Sequence, residues 1–183
     1  MAVEPSVVSV NSKETPGVGK IPRDYVRLVA DHGVEGDYHA GAHVRHRSRA
    51  AKTPEQPNLR QVHLIQSELF DELAPLGIAV KPGQMGENIT TRGLALLELA
   101  AGARLRIGES AVVEVTGLRN PCNQLDSIDE RLLAQVARKA DDGSILRRAG
   151  IMGVVAEGGI VRPGDRIEVA MPAEVRGGTL EPV

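Results

Sequence analysis

Short apolar runs with two-residue alternation, broken by glycine and proline, recur along the chain and predict many short β-strands. "PSVVSV" opens on β-branched residues and predicts a first strand. In "ARLRIGESAVVEVT", Leu105 and Ile107 alternate with Arg104 and Arg106, and Val113 and Val115 alternate with Glu114 and Thr116. Gly108-Glu109 between them predicts a hairpin, the glycine suiting the first position of a type II′ turn. "RPGDRIEVA" repeats the wording: a Pro-Gly turn, then Ile167 and Val169 on one face and Arg166 and Glu168 on the other. "QVHLI" and "IMGVVAEGG" predict two further strands.

The three-to-four spacing that marks helices appears twice. In "SELFDELAPLG", Leu69, Phe70 and Leu73 share a face and Gly77 provides an exit. In "SIDERLLAQVARKADDG", Ser127 and Glu130 have capping-box spacing, Ile128, Leu132, Leu133 and Val136 form a stripe, and Gly143 is the expected stop. The stretch from about 45 to 58, "RHRSRAAKTPEQPN", is basic and proline-containing and predicts a mobile loop. The expected class is mainly β with α: a β-rich, barrel-like sheet with a few peripheral helices, rather than alternating βαβ units.

Composition narrows the function classes. The 183 residues suffice for one domain with a full core. With two Tyr, one Phe and no Trp, the core must be aliphatic, and base stacking has almost no material. A formal net charge of −2 lacks the basic excess of a nucleic-acid or anionic-membrane binder. No disulfide can close within a chain of one cysteine, no secretory leader is read at the start, and the longest apolar run, "LALLELAAGA", is too short to span a bilayer. A cytoplasmic protein is expected, with no nucleic-acid and no membrane partner.

That cysteine, Cys122, sits in "VTGLRNPCNQL", where a strand pattern gives way to a helix pattern. A lone cysteine is ordinarily a small buried hydrophobe. Here Pro121 stiffens the loop, Arg119 favours the thiolate, and the expected helix start near Ser127 adds amides and a positive dipole end. Four histidines, His32, His39, His43 and His46, crowd one segment. His39 and His43 have the i, i+4 spacing of zinc ligands, but Gly41 interrupts that helix and no Glu follows His39, which favours a solvated loop. In "GVEGD", Asp37 follows two glycines, a turn that reads either as part of a ligand-contacting segment or as a tight corner with Asp37 bonding local backbone amides. In "GQMGENITTRG", Asn88 reads either as strand entry or as a side chain that orients a heterocycle. Arg60, just before "QVHLI", either clamps a phosphate or covers the end of the barrel. No P-loop, dinucleotide fingerprint or Ser-His-Asp order is present.

Taken in order, "GVEGDYHAG", "LRQVHLI", "GENITTRGLALLELAAGARLRIG", "VTGLRNPCNQL" and "GIMGVVAEGGIVRPGDRIEV" resemble MOSC domains, the family named for the C-terminal domain of molybdenum cofactor sulfurase. The resemblance runs from about Gly17 to Val169, within a single domain whose core is taken as about 17–170, followed by a short tail at 171–183. It implies a β-rich barrel-like fold, a molybdenum–pterin cofactor and an essential cysteine. Cys122 holds that position, as a molybdenum ligand or as a carrier of persulfide sulfur. Arg119, Asn120, Asn88 and Arg60 are then expected around the cofactor, with Asp37 and His39 lining the site, and Arg104, Arg106, Arg147 and Arg148 available to make the pocket basic. No pyridoxal phosphate is expected in this chain, so sulfur would come from a separate cysteine desulfurase, and a redox role would need separate electron-transfer proteins. A molybdenum-dependent reductase of N-hydroxylated compounds is one alternative, and a non-catalytic ligand-binding β-barrel with a spectator cysteine is another.

Overall fold

The computed structural model describes residues 3–43, 56–175 and 177–183. Most of the loop expected at 45–58, and His46, lie outside these residues. The strands are β1 (Ser6–Ser12), β2 (Ile21–Arg23), β3 (Val26–Val29), β4 (Gly33–Val34), β5 (Val62–Gln66), β6 (Ile89–Arg92), β7 (Arg104–Ile107), β8 (Ala111–Leu118), β9 (Ala137–Lys139), β10 (Ile145–Arg147), β11 (Ile151–Glu157), β12 (Gly159–Val161) and β13 (Ile167–Ala170). Two short helices, α1 (Glu68–Leu73) and α2 (Leu132–Val136), and three 3₁₀ turns complete the described elements. None of these helices is long and apolar enough to cross a membrane.

Eight strands form one sheet in the order β13-β7-β8-β11-β5-β6-β1-β2. Among the described residues this ladder does not close, so the expected β-rich sheet with few helices is realised but not its closure into a barrel. β13 at one end approaches the start of β1, next to the other end, through one isolated bridge, Ser6 to Arg166, with Val7 donating its amide to Asp165 and Ile167 to Pro5. β1 precedes Gly17, yet it places Val7 and Val10 in the core, so the packed unit begins earlier than position 17. β5 and β6 run parallel with α1 between them, a single crossover in a sheet that is otherwise antiparallel.

Two aliphatic clusters result. One, including Val10, Leu64, Ile89, Leu105, Val113 and Ile151, lies inside the curved sheet. The other packs Ile65 of β5 against Leu69, Phe70 and Leu73 of α1 and Leu132 and Val136 of α2. Leu64 and Ile65 of β5 serve opposite clusters, which is why that strand is buried on both faces.

The β7–β8 hairpin alternates as predicted, but its connection has three residues, Gly108 to Ser110, since Ile107 pairs with Ala111. In β13 Ile167 pairs with Ile107 and Val169 with Leu105, so the two share a face as expected, with Ile167 buried and Val169, toward the strand's end, 41% exposed. α1 matches its predicted face, and Gly77 adopts the left-handed conformation at the exit. The second helix is much shorter than expected. Ser127 belongs to a 3₁₀ turn and its hydroxyl donates to the Gln124 carbonyl, so no capping box forms. α2 ends at Val136 because the chain turns into the β9–β10 hairpin. Asp142 accepts from the Ser144 amide at 2.9 Å, and Gly143 (φ 85°) turns the chain. Local turn chemistry overrides helix propensity there.

Candidate functional site

A row of paired residues crosses three strands on one face of the large sheet: Gly117 of β8 beside Met152 of β11, and Met152 beside His63 of β5. His63 and Met152, with Asn88 at the entrance to β6, floor a cleft of about 570 Å³. That size suits a small molecule. The loops after the strands build its walls. They include Gly17 to Lys20, Tyr38 and His39, Asn58 to Arg60, Met85 and Gly86, and the segment from Arg119 to Gln124.

Cys122 lies at this cleft, half-buried. Pro121 cannot prolong the β8 ladder, and Cys122 is extended (φ −131°, ψ 168°) before the 3₁₀ turn Asn123–Ser127. The loop is pinned on both sides. The Arg119 amide donates to Gly150 at 3.0 Å, and the Leu125 amide donates to Cys122 at 3.2 Å while its side chain is fully buried. Gly150 is left-handed (φ 88°), and a Cβ there would collide with the Leu64 carbonyl oxygen, so glycine is required at this support. Among the described residues Sγ meets one polar partner, Gln124 Oε1 at 3.8 Å. α2 starts at Leu132, well beyond the cysteine, so the start of that helix does not face the thiol.

Arg119 supplies the positive charge. Its guanidinium interacts electrostatically with Cys122 and Glu87, and burial lowers its pKa. Its Nη1 is buried with no hydrogen-bond partner among the described residues. Such a donor is costly unless something else satisfies it.

Lys20 in the cleft wall forms a buried ion pair with Asp37 behind it. Lys20 Nζ lies 2.8 Å from Asp37 Oδ1, with side chains 4% and 0% exposed. Asp37 also accepts from the amides of His39 (3.0 Å) and Lys13 (3.1 Å) and from Asn88 Nδ2 (3.2 Å). Burial works to raise its pKa, but bonds from His39 and the Lys20 charge outweigh this and hold the carboxyl well below its usual range. Burial lowers Lys20, with Asp37 partly offsetting it. Asn88 additionally accepts from the His63 amide at 3.1 Å and donates to the Asn11 carbonyl at 3.2 Å. Its amide is engaged by protein, so Asn88 shapes the floor and does not offer a spare arm to a heterocycle. Glu87 next to it accepts from the Gly83 amide (2.6 Å) and the Thr90 hydroxyl (2.8 Å), and burial raises its pKa.

His63 is buried, and its Nε2–H donates to the Ala149 carbonyl at 2.7 Å. Burial, then the Arg119 charge, push its pKa well below normal. It is therefore neutral when folded but takes a proton below about pH 6.5 when unfolded. The unfolded state binds the extra proton, so this group removes stability as pH falls below about 6.5, by at most about 1.4 kcal/mol per pH unit. Thermal melts from pH 7 to 5.5 are expected to show wild type losing stability relative to His63→Gln; parallel curves would contradict a neutral His63.

Of the residues expected at the site, Cys122, Arg119, Asn120, Arg60, Asn88 and His39 border the cleft, and Asp37 supports it from behind. Asn120 is exposed at the rim, where Arg147 Nε donates to its Oδ1 at 2.9 Å. The expected basic pocket is corrected: Arg104 pairs with Glu114, Arg148 with Glu72, and Arg106 is exposed on β7, so none of the three lines the cleft. Lys20 and His63 take part although nothing in their sequence context marks them. Among the described residues no group of three or more His, Cys, Asp or Glu side chains converges to hold a metal ion, so His39 and His43 form no zinc site there.

Three solved structures share this architecture. YuaD from Bacillus subtilis superposes with a TM-score of 0.74 at 21% identity, covering 91% of this chain and 96% of that one. YiiM from Geobacillus stearothermophilus gives 0.62 at 20% identity, over 91% and 75% of the two chains. YiiM from Escherichia coli gives 0.60 at 23% identity, over 96% and 73%. A search of the curated proteins found no match. The family model for the MOSC domain matches residues 37–168, which takes in the Asp37 turn, the floor strands and the cysteine loop, and the chain belongs to the MOSC domain family.

Proposed function

We propose that the cleft binds a molybdenum–pterin cofactor, with the Cys122 thiolate as the protein ligand to the metal. The observation that carries this reading is the buried Nη1 of Arg119, which has no hydrogen-bond partner among the described residues, in the same cleft as the half-buried thiol. An anionic oxygen would satisfy that donor, and a soft thiolate suits the metal. Arg119, Arg60 and Lys20 would hold the anionic groups, and Met85, Met152 and Val18 offer apolar surface to the ring system. The cofactor would supply two-electron redox chemistry, consistent with reduction of N-hydroxylated compounds, while the chain's own residues bind and orient it. His63, neutral, keeps positive charge on the floor from rising further, and Asp37 balances Lys20.

One observation favours a second reading, persulfide carriage. Apart from the weak Gln124 contact, Sγ has no polar partner among the described residues, and it stands at the cleft. In this reading the Cys122 thiolate attacks the terminal sulfur of a donor desulfurase's cysteine persulfide. A new S–S bond forms on Cys122, the donor's S–S bond breaks, and the donor cysteine leaves as thiolate, with no net oxidation.

Metal analysis and an absorption spectrum on protein made in a cofactor-producing host separate the two. Stoichiometric molybdenum with a pterin signature is expected. Its absence, together with a mass gain of one sulfur atom on Cys122 after incubation with a desulfurase and cysteine, would replace the first reading by the second.

A further inference from the structure

The turn that carries Glu87 is tied to the cleft wall at Lys20. Gly83 accepts from the Lys20 amide at 2.7 Å, and its own amide donates to Glu87 Oε1 at 2.6 Å. A Cβ at Gly83, which is left-handed (φ 87°), would stand 2.5 Å from the Lys20 carbonyl oxygen, so this approach needs glycine. Gly86 and Asn88 border the cleft, whereas Glu87 between them is turned into the protein and is 0% exposed. The Thr90 hydroxyl also donates to Oε1, at 2.8 Å, but Oε2 has no hydrogen-bond partner among the described residues. The ionised carboxylate is thus supported on one oxygen only. What else steadies its charge is electrostatic, from Lys20 and Arg119. Asp37, the neighbouring carboxylate, has Lys20 and three amide donors of its own, and His63 in the cleft floor is neutral.

We infer that Glu87 sets the charge of ligand that the cleft accepts, by yielding Lys20 and Arg119 to an entering anion and taking up a proton as it does so. In the free protein these two cations are shared among Asp37, Glu87 and the Cys122 thiol. An anion in the cleft adds a like charge near a carboxylate that is buried and supported on one oxygen, so Glu87 is the group that gives way. The proton comes from solvent and goes to Oε2, while Oε1 keeps the Gly83 and Thr90 donors. Asp37 stays ionised, because four donors converge on it. A neutral ligand makes no such demand and brings no proton. Anion binding and protonation of Glu87 then favour one another equally, as linkage requires. The inference rests on the reading of the cleft as a site for an anionic ligand, not on molybdenum.

Sulfate is the probe, since it keeps its charge across the pH range of the measurement. Wild type is expected to bind it more weakly as pH rises. Glu87→Gln is expected to bind it about tenfold more tightly than wild type at the alkaline end, the two converging in acid. The glutamine is isosteric, its carbonyl can keep both donors, and no donor faces the position its NH₂ takes, so the variant should fold. Calorimetry in two buffers of different ionisation enthalpy is expected to show proton uptake with sulfate by wild type and less by Glu87→Gln. His39 and His63 border the same cleft, so the same fall in uptake is expected in His39→Gln and His63→Gln backgrounds. Should Glu87→Gln not fold, the infrared difference spectrum of wild type on adding sulfate carries the test, with a new protonated-carboxyl band expected. No sulfate binding by either protein, equal affinity at the alkaline end, or no carboxyl band would each overturn the inference. Sulfate binding without these effects overturns the role of Glu87 and spares the anion site. Protein isolated without molybdenum sinks the cofactor reading and changes none of these measurements.

Discussion

Cys122→Ser protein from a cofactor-producing host is expected to retain less than about a tenth of the wild-type molybdenum, because no other thiolate exists in the chain to replace the lost ligand. Serine's hydroxyl is not ionised at neutral pH and is a hard oxygen donor, so it reproduces neither the charge nor the softness of the thiolate. The same variant is expected to accept no sulfur from a desulfurase, since the transfer needs a sulfur nucleophile at that position. The fold should be indifferent. The side chain is half-buried with one weak polar contact, so the melting curve should correspond to a change within about 1 kcal/mol. Loss of both functions with an intact melt places the chemistry on the thiol. Unchanged molybdenum retention and unchanged sulfur acceptance would instead leave a binding module with a spectator cysteine. The Arg119 amide bond to Gly150 and the buried Leu125 side chain hold the loop in either case, so a folding defect is not a competing explanation.

Asp37→Asn is expected to be the most damaging isosteric change near the cleft. Four donors converge on this carboxylate: Lys20 Nζ, the His39 and Lys13 amides, and Asn88 Nδ2. An amide at position 37 would turn an NH₂ toward two of them and leave Lys20 buried without its counter-charge. Removing one member of a buried pair costs about 3 kcal/mol or more. For a chain of this size that corresponds to a fall in Tm of roughly 6–12 °C. Adding Lys20→Met should recover only part of the loss, because the amide donors remain unmatched. A full recovery would show that the ion pair alone matters.

The pH dependence of this contribution follows from the direction of the Asp37 shift. Its folded pKa is depressed, so the stabilisation is complete above the unfolded value of about 3.9 and is lost as pH falls from there toward the lower folded value. Wild type and Asp37→Asn are therefore expected to converge in stability in strong acid and to differ most near neutrality. Differential melts between pH 2 and 7 measure this, and a gap that does not narrow in acid would contradict it.

Features governed by near neighbours are legible in the amino-acid sequence itself. Alternation in β7 and β8 needs only the next residue but one, and the face of α1 only the next three or four. The cysteine loop is legible because Arg119, Pro121 and Cys122 share one short segment. The overextended second helix shows the limit. Leu132 and Val136 do pack as a helical face, but the Asp142–Ser144 turn reverses the chain soon after them. Lys20 and His63 are hidden for a different reason. Lys20 meets Asp37 and His63 meets Ala149 across long separations, and a histidine inside an apolar strand looks like filler until its neighbours are placed. The arginines mislead in the opposite sense. Their number suggests a basic pocket, but strand direction sends Arg104 and Arg106 away from it, and Glu72 holds Arg148 elsewhere.

The arrangement of the sheet's two ends bears on how the protein behaves at high concentration. The rim beside β13 has Pro5 and Val7 bonded to Ile167 and Asp165, which covers the start of that flank. At the opposite flank, β2 is three residues long, and Pro22 at its centre has no N–H to give. Arg23 beside it adds a charge. Short length, proline and charge are the devices that discourage intermolecular strand addition. The open edge at β2 of a sheet that stops short of a full circle is thus guarded against fibrillar stacking.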